Sequence, residues 1–127
     1  MSNRPRRHSV SVTIVDDNML NRKVLDAQLR RSSLDLGQIT QACDGSEVLS
    51  PKSDVIFMDV EMPGVNGIEA TKKIRKKSLE LDSHVLIIGY SSEPKFKQEC
   101  IEAGMDDFLQ KPATREQISN ILEKHIK

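Results

Sequence analysis

The feature that most constrains this chain is an alternation. Five short runs rich in apolar and β-branched residues, "SVSVTIV" (9–15), "QITQAC" (38–43), "DVIFMDV" (54–60), "HVLIIGY" (84–90) and "DDFLQ" (106–110), are separated by segments with helical spacing. Stretches such as Val55-Ile56-Phe57-Met58 and Val85-Leu86-Ile87-Ile88 are apolar on both faces of a strand, which fits a sheet covered by helices on each side. Strands that alternate with helices run parallel and are joined by right-handed crossovers. The expected architecture is α/β: five βα units in one open, five-stranded parallel sheet. The 127 residues suit one compact domain with one core.

The helical segments carry their own signals. After Asn18, a residue suited to an N-cap, Leu20, Val24, Leu25 and Leu29 recur at helical spacing and are read as the inward stripe of the first helix. In "GIEATKKIRKKSLEL" (67–81), Ile68, Thr71 and Ile74 face inward and the lysines outward. "EPKFKQECIEAG" (93–104) places Pro94 in a first turn and Gly104 as the stop. "TREQISNILEKHI" (114–126) opens with Thr114 and Gln117 at capping-box spacing and buries Ile118, Ile121, Leu122 and Ile126. The second of five helices is the weak one. Only "SEVLSPKS" separates Gly45 from Asp54, and Pro51 ends it, so a turn or two is expected.

Composition excludes several functions. Lys+Arg and Asp+Glu number 19 each, which leaves no electrostatic footprint for nucleic acid. Aromatic residues make up 3 %, too few for a base-stacking platform. The local bias is "NRPRRH": Arg4, Arg6 and Arg7 make residues 1–8 a basic tip, read as a frayed terminus ahead of a domain over 9–127. Cys43 and Cys100 have neither C-x-x-C nor metal-ligand spacing and read as reduced packing residues of a cytoplasmic protein. His8, His84 and His125 fall in no metal pattern. No apolar run approaches the ~18 residues of a membrane span, and the start lacks the apolar core of a signal peptide.

In an open parallel sheet, ligands bind beyond the carboxyl ends of the strands, where strand order reverses. Asp16, Asp17 and Asn18 follow the first strand. Asp59, Glu61 and Pro63-Gly64 end or follow the third; Ser91, Ser92 and Glu93 follow the fourth; Lys111 and Pro112 follow the fifth. The apolar run Val55–Met58 thus ends in a carboxylate that has company. Two unit charges ~4 Å apart repel by ~1 kcal/mol in water and ~4 kcal/mol at an intermediate dielectric, so three carboxylates in one crevice call for a cation. The donors are hard oxygens, which suits Mg2+ (or Mn2+) better than zinc. A carboxylate beside a metal, a lysine and a hydroxyl can receive a phosphoryl group, with Asp59 as nucleophile and Lys111 and the metal stabilising transferred charge.

Taken together, "IVDDN", "IFMDVEMPGVNGIEA", "IIGYSS" and "DDFLQKP", in this order and spacing, resemble the receiver domain of two-component response regulators over about residues 10–126. The resemblance implies a flavodoxin-like fold with strand order 2-1-3-4-5. It implies that Asp59 is the phosphoacceptor and that Asp17, Asp59 and the backbone carbonyl of Glu61 bind Mg2+ directly, with Asp16 acting through water. It places Ser91 as the hydroxyl that meets the phosphoryl group, Phe108 at the switch-aromatic position, and Lys111-Pro112 as a cis peptide. The implied donor is a phosphohistidine on a histidine kinase or a histidine phosphotransfer domain. The implied protein binds no nucleic acid directly, needs no membrane, and is a monomer or a weak phosphorylation-dependent dimer.

This chain departs from the family pattern in places. Phe108 stands where tyrosine is commoner, and Ser92 where a small residue is usual. Glu61 and Glu93 occupy the two positions expected to tune phosphate lifetime. Two further readings come from other classes. A constitutive interaction module would keep the fold without the switch, but its mark would be a lost site residue. A small Mg2+-dependent phosphatase would carry an aspartate where Glu61 stands, together with a cap segment. "VDDNMLNRKVL" reads most like receivers attached to hybrid histidine kinases, and a stand-alone regulator is the other expectation.

Overall fold

The computed structural model describes residues 9–32, 34–48, 53–61, 66–81 and 84–126. In chain order the elements are β1 (Val10–Val15), α1 (Met19–Arg30), β2 (Leu36–Ala42), a 3-10 turn (Gly45–Val48) and β3 (Val55–Asp59). There follow α2 (Gly67–Leu81), β4 (Leu86–Ser91), a second 3-10 turn (Pro94–Phe96) leading into α3 (Lys97–Ala103), β5 (Asp107–Gln110) and α4 (Arg115–His125). All strand pairs are parallel and the order is β2-β1-β3-β4-β5, the flavodoxin-like arrangement. The chain leaves β1 for β2 on one side and returns to β3 on the other. The carboxyl ends of β1 and β3 therefore flank the point where strand order reverses.

The pleat sorts the strand residues onto two faces. Val12, Ile14, Val55, Phe57, Ile88 and Tyr90 join Leu25 and Leu29 of α1 and Ile118, Ile121 and Leu122 of α4 in one core cluster. Val15, Ile56, Met58 and Ile87 join Ala70 and Ile74 of α2 and Cys100 of α3 in the other. Every residue of β3 is buried, as expected of the middle strand of a sheet covered on both faces. Burying each large aliphatic side chain contributes roughly 1.5–3 kcal/mol relative to leaving it exposed.

Local chemistry explains the helix ends. The Asn18 side chain accepts a hydrogen bond from Asn21 N–H at 2.9 Å and caps α1. Thr114 and Gln117 form a reciprocal capping box at the start of α4. Gly104, with φ 115°, ends α3 in the left-handed conformation that glycine adopts without strain. His84 and His125 pair with Asp106 and Asp107 at 3.0 and 2.8 Å. Cys43 lies on the surface and Cys100 in the core.

Two expectations need correction. Leu20 and Val24 of α1 are 67 % and 48 % exposed, and of the four proposed stripe residues only Leu25 and Leu29 are buried. The four positions span too wide an arc for a helix that covers a sheet from one side. The weak second helix is the short turn expected, 3-10 over Gly45–Val48, and the described residues hold four α-helices; Pro51 lies outside the described residues, as does the tip 1–8. The helix expected from residue 93 begins as a 3-10 turn at Pro94 and becomes α-helical at Lys97. No helix among the described residues is long and apolar enough to cross a membrane.

At the amino end of the sheet one side chain joins three segments. Arg75 of α2 donates from Nε to the Gly104 carbonyl at 2.8 Å, from Nη1 to the Val85 carbonyl at 2.7 Å and from Nη2 to Asp106 Oδ2 at 2.7 Å. Asp106 Oδ2 also accepts from Ile87 N–H at 2.9 Å. Replacing Arg75 with methionine keeps the aliphatic stem but strands two carbonyls and takes the guanidinium from Asp106, which keeps Ile87 N–H and His84 as partners. The expected loss is about 2–4 kcal/mol of folding free energy, read from the urea midpoint.

Candidate functional site

The strands β1, β3 and β5 each deliver one part of the site as they end. Asp16 and Asp17 follow β1, Asp59 is the last residue of β3, and Lys111 follows β5. One carboxylate oxygen from each of Asp16, Asp17 and Asp59 lies within 4.8 Å of the others. Asp16 and Asp59 are 2 % and 5 % exposed, whereas Asp17 is open to solvent. Lys111 Nζ donates to Asp16 Oδ2 at 2.8 Å and to Asp59 Oδ1 at 3.2 Å. Backbone amides face the acids as well: Asn18 N–H donates to Asp16 Oδ1 at 2.9 Å, and the Glu61 amide helps to draw the Asp59 carboxyl down. Arg22 of α1 donates to the Asp16 carbonyl at 2.6 Å.

One ammonium is shared between two buried carboxylates, and this governs the electrostatics. Burial raises the Asp59 carboxyl from 3.8 to about 6; Lys111 pulls it down and the neighbouring Asp16 charge pushes it up. Burial also opposes the charge on Lys111, but the hydrogen bond to Asp16 and the Asp59 carboxylate outweigh it, and the lysine is raised above its ordinary value. The two shifts are consistent, because one positive charge does not neutralise two desolvated negative ones. The site is short of positive charge and offers hard oxygen donors from three residues, a set that fits Mg2+.

The remaining candidates are placed less centrally. Ser91 is 1 % exposed; its Oγ accepts from Glu93 N–H at 3.0 Å and its carbonyl accepts from Lys111 N–H at 2.8 Å. Glu61, Ser92 and Glu93 are exposed. Phe108 is half-buried, pairs with Gly89 across β4–β5, and packs on the core face that holds Met105 and Cys100. Lys111-Pro112 is a cis peptide. Pro63-Gly64 lies outside the described residues.

Two residues that build this region were not singled out from the sequence. A Cβ added to Gly67 would fall 2.1 Å from the Asp59 carbonyl oxygen and 2.9 Å from Met58 Cγ, so only glycine lets α2 start against the end of β3. The "NGIEA" turn carries that signal, since a glycine opening a helix marks a close backbone approach. The other is Tyr90, buried beside Asp59 in the β3–β4 register; a strand tyrosine reads as core until its partners are known.

The raised Asp59 carboxyl gives a stability prediction with a definite sign. A carboxyl whose pKa is higher folded than unfolded favours the fold while protonated. That contribution is complete below about pH 4 and is lost as pH rises through about 6. In EDTA at pH 7.5, Asp59→Asn is expected to be more stable than wild type by roughly 1–2 kcal/mol, after allowance for screening at the open mouth of the site. The difference should vanish near pH 4, as read from urea unfolding at each pH.

A family model for the response regulator receiver domain matches residues 12–123. The chain is 38 % identical over 120 residues to the CAI-1 autoinducer sensor kinase/phosphatase CqsS of Vibrio cholerae, covering 90 % of this chain and 17 % of that protein. It is 31 % identical over 117 residues to Two-component response regulator 24 of Arabidopsis thaliana, covering 91 % of this chain and 83 % of the relative. It therefore spans a small part of the sensor kinases it matches and most of that regulator. Among solved structures, the receiver domain of the histidine kinase CKI1 from Arabidopsis thaliana complexed with Mg2+ superposes with a TM-score of 0.78 at 31 % identity, covering 91 % of this chain and 90 % of that one. With the sheet order, the acidic edge and these likenesses in agreement, the chain belongs to the receiver domain family of two-component signalling proteins.

Proposed function

We propose that this receiver accepts a phosphoryl group on Asp59 and thereby controls a partner or output domain in a two-component phosphorelay. The observation that carries the reading is the buried Asp59 carboxylate in contact with Lys111, with oxygens of Asp16 and Asp17 close enough to share one ion. The donor is a phosphohistidine on a histidine kinase or a histidine phosphotransfer domain, and the setting is cytoplasmic. Sensor and hybrid histidine kinases among the relatives support that donor class.

The reaction follows from the geometry. An Asp59 carboxylate oxygen attacks phosphorus; the new O–P bond forms as the P–N bond to imidazole breaks, and the bond electrons stay with the imidazole, which takes a proton from solvent. As negative charge leaves the Asp59 oxygen for the phosphoryl oxygens, Lys111 can follow it from a carboxylate to the transferred group. Asp17, Asp59 and the Glu61 carbonyl, with Asp16 in support, would hold Mg2+ (or Mn2+), which would supply Lewis-acid charge to the phosphoryl oxygens.

Ser91 Oγ accepts from the Glu93 amide, so its own proton remains available to donate to the phosphoryl group. The added charge of about −1.5 to −2 draws Ser91 toward it. Phe108 then turns inward, and the surface of α3, β5 and α4 shifts between two populated states. Glu61 and Glu93 flank the approach of hydrolytic water and set the lifetime of the phosphate.

Acetyl phosphate with Mg2+ should add one phosphoryl group to the intact mass of wild type and none to Asp59→Asn. EDTA should abolish the gain, and Mg2+ alone should raise the wild-type melting temperature more than that of Asp59→Asn. Lys111→Ala should slow labelling by about 100-fold, the scale for removing one preorganised charge stabiliser. A folded wild type that takes no phosphate, from acetyl phosphate or from a phosphohistidine protein, would replace this reading with a constitutive interaction module. In the same assay, Glu93→Ala should change the rate of phosphate loss after EDTA quenching, and an unaltered rate removes Glu93 from the lifetime argument.

A further inference from the structure

We propose that Tyr90 is the positioning residue of the Lys111 ammonium: its ring is the floor beside which the ammonium rests, and its hydroxyl holds the backbone just beyond Lys111. The inference rests on the phosphoacceptor reading for its consequence but not for its geometry. Tyr90 is 6 % exposed, pairs with Asp59 on β3 and with Leu109 on β5, and so lies in the sheet between the strand ends that carry Asp59 and Lys111. Its ring meets Phe57 edge-on, with centroids 6.5 Å apart and planes at 79°, which fixes the ring orientation inside the core. Lys111 Nζ lies 5.2 Å from the ring centroid, within the range of a cation–π contact.

The hydroxyl end does separate work. Burial raises the pKa of the Tyr90 hydroxyl, the Ala113 amide that faces it draws it down, and the Ala113 carbonyl accepts from Gln28 Nε2 of α1 at 2.9 Å. Lys111 N–H is itself bonded to the Ser91 carbonyl at 2.8 Å. The Lys111 backbone is thus tied to β4 through main chain, and Tyr90 is placed to hold the backbone just beyond it. With the ring on one side and two carboxylates on the other, the ammonium has little freedom except to move between Asp16 and Asp59. A leucine could fill much of the same volume, but it offers neither a negative ring face nor an oxygen for Ala113.

The test separates ring from hydroxyl. In NMR spectra of the full chain, the Lys111 ε-methylene protons should show the ring-current shift of a methylene near the Tyr90 ring. Tyr90→Phe preserves the core volume and should keep that shift, while Ala113 amide hydrogen exchange becomes severalfold faster. Tyr90→Leu should abolish the shift and slow labelling by acetyl phosphate about tenfold, against no more than about threefold for Tyr90→Phe, the range expected from a partly desolvated cation–π contact. A Lys111 shift unchanged in Tyr90→Leu overturns the floor, and Ala113 exchange indifferent to Tyr90→Phe overturns the tether. A folded Tyr90→Leu that labels at the wild-type rate overturns the link to phosphoryl transfer. If wild type takes no phosphate while the Lys111 shift responds as expected, the phosphoacceptor reading fails and the placement of Lys111 by Tyr90 stands.

Discussion

The site depends on one constraint: a single lysine must serve two carboxylates that the fold has removed from water. Asp59 is desolvated because β3 is the middle strand of a sheet covered on both faces, and its last residue shares that burial. Asp16 is desolvated because it leaves β1 at the reversal of strand order, directly beside β3. Neither acid could be held there without a cation, and the structure supplies half of what is required. The shortfall makes the edge receptive to a divalent ion and to the rearrangement of charge that phosphoryl transfer entails.

The packing that creates this shortfall also limits how it can be relieved. Gly67 seats the start of α2 against the Asp59 carbonyl, so the end of β3 has little freedom to recede. Tyr90 and Phe57 fill the sheet beneath the charges with rings rather than water. The partner both acids share is Lys111, whose side chain is 17 % exposed and makes both contacts from a short segment between β5 and α4. Two carboxylates fixed by packing, with one ammonium shared between them, suit a reaction in which negative charge is created at one place and moved a few ångströms.

Much of this was legible in the sequence because it is local. Strand runs, the Asn18 cap, the Thr114–Gln117 box and the Gly104 stop each follow from the chemistry of a few neighbouring residues. The gathering of Asp16, Asp17, Asp59 and Lys111 was legible because each sits at a strand end, and topology alone brings strand ends together. What periodicity could not reveal was the width of the buried arc. Leu20 and Val24 obey helical spacing as well as Leu25 and Leu29 do, yet the sheet covers only one side of α1. Tyr90 and Arg75 were silent for another reason: their partners are distant in sequence, and nothing near them states what they will touch.

Arg75 gives the two ends of the sheet different mechanical characters. Its guanidinium fastens α2 to the carbonyls of Val85 and Gly104 and to Asp106, at the ends where β4 and β5 begin. The opposite ends of those strands carry Ser91 and Lys111. Sliding β5 against β4 is blocked at that end by the guanidinium, and along the strands by a parallel ladder that runs from Ile88 and Asp107 to Ser91 and Gln110. The guanidinium is thus a clasp on the strand pair at the end farthest from the acidic edge.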